Sequence, residues 1–127
     1  MKLVKILKEA QWEGNNLKES NSYYEIIKPF PLYVMTGSHP SNAYYGAGRL
    51  FEPEWKKITA KKGDQIQNLA GGLFYVEKSK KAYNMHLQEP EFRPFERGRG
   101  SFDKFDLSKL KEVDESQAIG KIRVVGR

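Results

Sequence analysis

The sequence predicts one small domain, residues 1–127, of β-rich α+β class. It is expected to be built on a curved antiparallel sheet or small barrel, with one or two short helices. Three observations carry this prediction. Short runs of aromatic and β-branched residues recur along the chain, separated by turns of Gly, Pro, Asn and Asp. One run, Ala82 to Leu87, alternates with a period of two: Tyr83, Met85 and Leu87 on one face, Ala82, Asn84 and His86 on the other, the mark of a half-buried strand. Finally, 127 residues without cysteine are enough to bury a core without disulfide staples.

The elements follow in order. Leu3, Ile6, Leu7 and Ala10 fall at helical spacing, while Val4 and Ile6 allow a strand instead; Gly14-Asn15-Asn16 is a turn signal in both cases. Tyr23 to Ile27 reads as a strand. Pro29 and Pro31 interrupt it, because proline donates nothing to a ladder, and Leu32 to Met35 resumes as a second short strand. Thr36 to Asn42 is dense in loop formers and reads as a loop. Ala43 to Phe51, punctuated by Gly46 and Gly48, and Trp55 to Thr59 are the next strand candidates.

Lys61-Lys62-Gly63-Asp64 is a turn into Gln65–Leu69, and Gly71-Gly72 a second turn into Leu73–Glu77. With the alternating strand after Lys78–Lys81, these form an antiparallel meander. Pro90, Pro94, Gly98 and Gly100 then forbid a long regular element, so 88–105 reads as an extended surface loop. Asp106 is placed to cap a short helix carrying Leu107, Leu110 and Val113, and Ile119 to Val125 is a last strand. The expected core comprises Ile66, Phe74, Val76, Tyr83, Met85, Leu87, Ile122 and Val124.

Composition narrows the function classes. Lys and Arg outnumber Asp and Glu by 22 to 16, for a net charge of +6, and the chain holds 7 Phe, 7 Tyr and 2 Trp. Basic charge attracts polyanions, and aromatic faces stack on bases. The absence of cysteine removes thiolate metal sites and thiol nucleophiles. No apolar run is long enough to span a membrane, and lysines interrupt the first nine residues too often for a signal-peptide core, so a cytoplasmic protein with no membrane partner is expected.

The candidate binding residues form three groups. The first is the loop carrying Arg93, Arg97, Arg99 and Lys104. Its arginines can fork onto phosphate, its glycines let a ligand approach the backbone, and Phe95 and Phe102 offer stacking faces. The same phenylalanines could instead pin the loop to the core. The second group is Lys56, Lys57, Lys61 and Lys62, with Trp55 beside them as the better stacking candidate of the two tryptophans; lysines at strand ends also serve to block edge pairing. Pairing of successive strands would not require the Lys61-Lys62 turn and the Lys78–Lys81 turn to share one end. Arg49, in Tyr44-Tyr45-Gly46-Ala47-Gly48-Arg49, belongs to a mixed polar and aromatic binding loop that is not a phosphate-binding glycine motif. The third basic group, Lys121, Arg123 and Arg127, lies on the last strand candidate.

His39 and His86 lack metal-ligand or triad spacing, so no catalytic residue, metal or cofactor is assigned. The leading reading is a non-enzymatic module that binds DNA or RNA, or regulates through it, by basic and aromatic surface loops. A second reading uses the same loop as a protein interface, making the chain a protein-binding module or an inhibitor of a cellular enzyme or complex, of the kind phage accessory proteins represent. A third, a small hydrolase or nuclease, requires a carboxylate or other polar group within hydrogen-bond reach of a histidine.

Overall fold

The computed structural model describes residues 15–18, 21–92, 103–120 and 123–125. Its strands are β1 (Ser22–Ile26), β2 (Pro31–Tyr45), β3 (Gly48–Thr59), β4 (Gln65–Leu69), β5 (Gly72–Val76), β6 (Lys81–His86), β7 (Leu110–Val113) and β8 (Arg123–Val125). They join in the order β3-β2-β6-β5-β4-β1-β7, antiparallel throughout, with β8 added parallel to β6. The expected meander is present as β4-β5-β6.

The β-rich class holds, and the helices do not. Asp106 does cap, accepting the Ser108 N–H, but the turn it starts is a three-residue 3-10 turn, Leu107–Lys109, that passes straight into β7. A strand wins here because β1 offers Leu110–Val113 a free edge to pair with, and Leu110 then reaches the core. Glu115–Gln117 is a second 3-10 turn. The helical spacing at residues 3–10 lies outside the described residues. The barrel alternative is corrected to an open sheet, since β3 and β7 end the strand order without pairing.

The second difference concerns β2 and β3. The segment expected to be a loop, Thr36 to Asn42, is strand, and the chain turns only at Gly46-Ala47. The candidate Ala43 to Phe51 is divided by that turn, and its second half continues through Pro53 into the candidate Trp55 to Thr59 as one β3. Proline is tolerated because β3 is an edge, with nothing on its far side to receive an N–H. Pro40 and Ser41–Ala43 bulge the ladder, where Pro40 faces Phe51 and Tyr44 faces Arg49. Only the base of this hairpin is anchored, by Tyr33 opposite His86 and Val34 opposite Met85. Beyond Met35 it is a two-stranded ribbon paired only with itself among the described residues.

The sheet curls around one core. Ile26, Leu32, Ile66, Tyr75 and Met85 are almost fully excluded from solvent. Tyr24, Val34 and Leu110 join them, and Tyr83 and Leu87 pack at the margin. A smaller cluster of Phe74, Val76 and Ala82 lies on the opposite face of the sheet under Leu69, Ile119 and Val124. Of the expected core, Ile122 lies outside the described residues.

Buried polar side chains hold the loops down. Gln65 and Gln67 are 4% and 2% exposed and act as an extra ladder strand. Gln65 Nε2 donates to Gln117 O (2.9 Å) and its Oε1 accepts the Ile119 N–H (2.9 Å), while Gln67 Nε2 donates to Ile119 O (2.8 Å). Asn16 clasps Phe105 in the same way through both its backbone groups. These pairings meet the requirement that buried amides be satisfied.

Candidate functional site

The turn Ala60–Asp64 organises one end of the sheet. Gly63 adopts φ +93, a conformation that favours glycine, and the movable end of the Lys78 side chain lies over it. The Asp64 carboxylate is buried; it accepts the Tyr75 hydroxyl and the Lys78 N–H (3.0 Å). The Tyr75 hydroxyl oxygen in turn accepts the Lys61 N–H (3.2 Å). Burial first, and the Asp64 hydrogen bond second, push the Tyr75 phenol far above its ordinary range, so it stays a neutral donor. Backbone bonds tie the turn to its neighbours: Gly63 N–H to Ile26 O, Ile26 N–H to Asp64 O, and Ile27 and Lys28 N–H to Lys109 O.

This hub gathers lysines that the sequence scatters. Lys61 and Lys62 sit beside Lys78, whose turn continues into Lys80 and Lys81, and Lys28 and Lys109 lie on the other flank. The two lysine turns share one end, because the antiparallel β4-β5 hairpin brings the start of β4 beside the end of β5. Arg123 is placed in register with Lys81 by the β6–β8 pairing.

Three carboxylates of this end, Asp64, Glu77 and Asp106, are occupied by uncharged donors. Asp64 has Tyr75 and Lys78 N–H. Glu77 accepts from the Ser79 and Tyr83 hydroxyls. Asp106 accepts the Ser108 N–H and hydroxyl, which, with the nearby Lys109 and Lys28 charges adding less, hold its carboxyl below the usual range. Among the described residues none of these lysines forms an ion pair; the Lys18–Glu112 bridge (2.8 Å) lies elsewhere. Lys104 extends the basic surface, sharing with Lys109, Phe30 and Leu87 the wall of a surface hollow.

A second feature lies on the outward face of β3-β2-β6. Lys57, Tyr33 and His86 form one row across the strands. The Trp55 ring meets the His86 ring edge-on, 5.2 Å between centroids. His86 Nδ1 lies 3.0 Å from Oδ2 of the buried Asp103, whose Oδ1 accepts the Leu87 N–H (2.9 Å). Asp103 thus fixes the imidazole and ties itself to Leu87, just past the end of β6.

Of the predicted binding residues, Lys61, Lys62 and Lys104 fall on the lysine-bearing side, and Trp55 and Lys57 on the outward sheet face. Lys56 faces the other side of β3, opposite Val34. Arg49 lies near the ribbon tip, donating from Nε to Ser41 O (2.6 Å) and standing over the Tyr44 ring at 5.7 Å. Arg93, Phe95, Arg97, Arg99 and Phe102 lie outside the described residues. Sequence reasoning missed Tyr33, Lys28 and Lys109 as site neighbours; the first was legible from its alternation with the inward Leu32 and Val34, the others only from strand order.

Both histidines do have a carboxylate within reach. His39 Nε2 is 3.0 Å from Glu52 Oε2, with Glu54 at 3.8 Å from Nδ1. That meets the first requirement of hydrolase chemistry. Among the described residues, however, neither histidine is hydrogen-bonded to a hydroxyl, and the Ser41 hydroxyl accepts the Ala43 N–H inside the bulge. No set of three or more metal-ligating side chains comes together among the described residues, and no helix there is long and apolar enough to cross a membrane. Comparison of the chain with protein-family models, curated proteins and solved structures finds no match.

Proposed function

We propose that the protein is a nucleic-acid-binding module, without catalytic chemistry of its own, that holds the phosphate backbone with its lysine-bearing end. The observation that carries this reading is the gathering of Lys28, Lys61, Lys62, Lys78, Lys80 and Lys81 around a buried hydrogen-bonded hub, with the Asp64 and Glu77 carboxylates occupied by neutral donors. Ammonium groups on a rigid base meet a polyanion at little ordering cost beyond their own side chains. They release condensed counterions when they do so.

The test is fluorescence anisotropy with labelled single-stranded and duplex oligonucleotides, in DNA and RNA form, from about 50 to 200 mM salt. Binding should weaken steeply with salt. The triple variant Lys61→Ala, Lys62→Ala, Lys78→Ala should bind every sequence more weakly and flatten the log–log salt slope by about two to three, at roughly 0.7–0.9 per lost phosphate contact. A flat salt response, or no binding at the lowest salt, removes the reading. It would leave a protein partner as the alternative, for which the exposed Tyr44 and Phe51 would be the anchors.

A further inference from the structure

We infer that the outward face of the β2–β3 ribbon is a binding platform for single-stranded nucleic acid that stacks unpaired bases; this rests on the nucleic-acid reading above and names its substrate class. Strand alternation puts Arg49, Phe51, Pro53, Trp55 and Lys57 on one side of β3. The other side is marked by Glu52 and Glu54, both facing His39. The aromatics of β3, with Arg49 and Lys57, thus lie on the face that carries no carboxylate of this strand, while Lys56 lies with Glu52 and Glu54 on the other. An anion approaching the aromatic side meets Arg49 at one end and Lys57 at the other.

The geometry suits stacking. Phe51 is 62% exposed, and Tyr44 on the facing strand is 55% exposed beneath the Arg49 guanidinium. Trp55 is half-buried and braced by His86, which Asp103 holds in place. Phe51 and Trp55 are four strand residues apart, roughly 13 Å, a spacing that separate bases of one extended strand can occupy. Each base has a π-face, and in a duplex those faces are already covered by neighbouring pairs. A two-stranded ribbon also fits a major groove, but there its second face would carry Glu52 and Glu54 toward phosphate-lined walls. Charge complementarity holds for the aromatic face alone.

The experiment uses the full chain with an oligothymidylate of about 12 nucleotides and a duplex of the same length, a size within the range of single-strand sites. Trp12→Phe leaves Trp55 as the sole tryptophan of the 2, and its fluorescence should be quenched by the single strand. Phe51→Ala should weaken single-strand binding about tenfold, the scale of one lost stacking contact, and leave duplex binding within about twofold. Trp55→Ala should do the same, with Trp55→Phe restoring most of the affinity. Unchanged single-strand affinity in Phe51→Ala, or an unquenched Trp55, overturns the inference while the lysine-end reading stands. Equal losses on single strand and duplex also overturn it, placing the ribbon in a groove. A parent protein that binds no nucleic acid overturns both and returns the exposed aromatics to protein contact.

Discussion

The lysine-bearing end and the β2–β3 ribbon are built from similar strand sequence, yet they are held by different means. At the lysine end, Ile26 and Phe30 hold the 60–64 turn through backbone bonds, and the buried Asp64–Tyr75 pair receives the Lys61 and Lys78 N–H groups. The ribbon beyond Met35 has its own ladder, the His39–Glu52 contact and the Arg49–Ser41 clasp, and no core beneath it. A two-stranded hairpin is marginal alone in water, and this one borrows its order from the base that β6 anchors. The lesson is that a ligand surface can be made by over-determining a turn or by extending a hairpin past its core, with opposite consequences for stability.

The largest test contrasts two apolar residues of the same hairpin. Leu32→Ala, at a fully buried position, should cost about 2–5 kcal/mol by urea denaturation. Phe51→Ala, at 62% exposure, should stay within about 0.5 kcal/mol. Comparable losses at both would mean that the ribbon packs on something it does not touch here.

Asp64→Ala comes next. It strands the Lys78 N–H and the Tyr75 hydroxyl together, and should cost about 2–4 kcal/mol, since each buried group left unmade costs about 1–3 kcal/mol. A loss under about 1 kcal/mol would show that the turn survives without its hub.

Tyr75→Phe should cost about 1–2 kcal/mol at neutral pH and carries a pH signature. The folded phenol titrates above its unfolded value because burial disfavours the phenolate. Its contribution is therefore complete below about pH 10 and lost as pH rises from there through the higher folded value. The stability difference between parent and Tyr75→Phe should shrink above about pH 10. A difference that stays constant with pH would place the hydroxyl outside the network.

The smallest expected effect is the most informative about the ribbon. Replacing residues 38–53 by an Asn-Gly turn should change folding stability by less than about 1 kcal/mol, because among the described residues this segment contributes none to either core cluster. Amide exchange should agree, with β4 and β5 protected to the global limit and residues near Gly46 exchanging early. A shortened protein that fails to fold would reverse the comparison.

Much of the fold was legible locally. The period of two in Ala82–Leu87 identified β6 and its inward face, with Met85 1% exposed, and the Gly and Asp turns bracketed β4 and β5. Ala82, assigned to the polar side of that strand, is instead buried, because Ile119 and Val124 cover a face that the strand alone presents as open. Gln65 and Gln67 are buried for the same reason: the 117–119 segment covers them and makes them a ladder. Pro40 and Pro53 pointed to loops because proline interrupts a central strand, and nothing local told that β3 would be an edge. Of the candidate site, Trp55, Lys57, Lys61 and Lys62 were legible from residue type.

The sequence by itself determined a β-rich chain with an excess of cations, stacking faces and a set of turns, because these follow from side-chain alternation and from backbone freedom at single residues. Tertiary structure decided which turns share an end and which strand became an edge. It also set which carboxylates were satisfied without a lysine. Those outcomes depend on strand order, which joins residues tens of positions apart and leaves no trace in the local pattern. The lysine-bearing turns came to one end of the sheet through the β4-β5 pairing, with Asp64 tying Lys78 to the 60–64 turn and Lys109 bonded to Ile27 and Lys28.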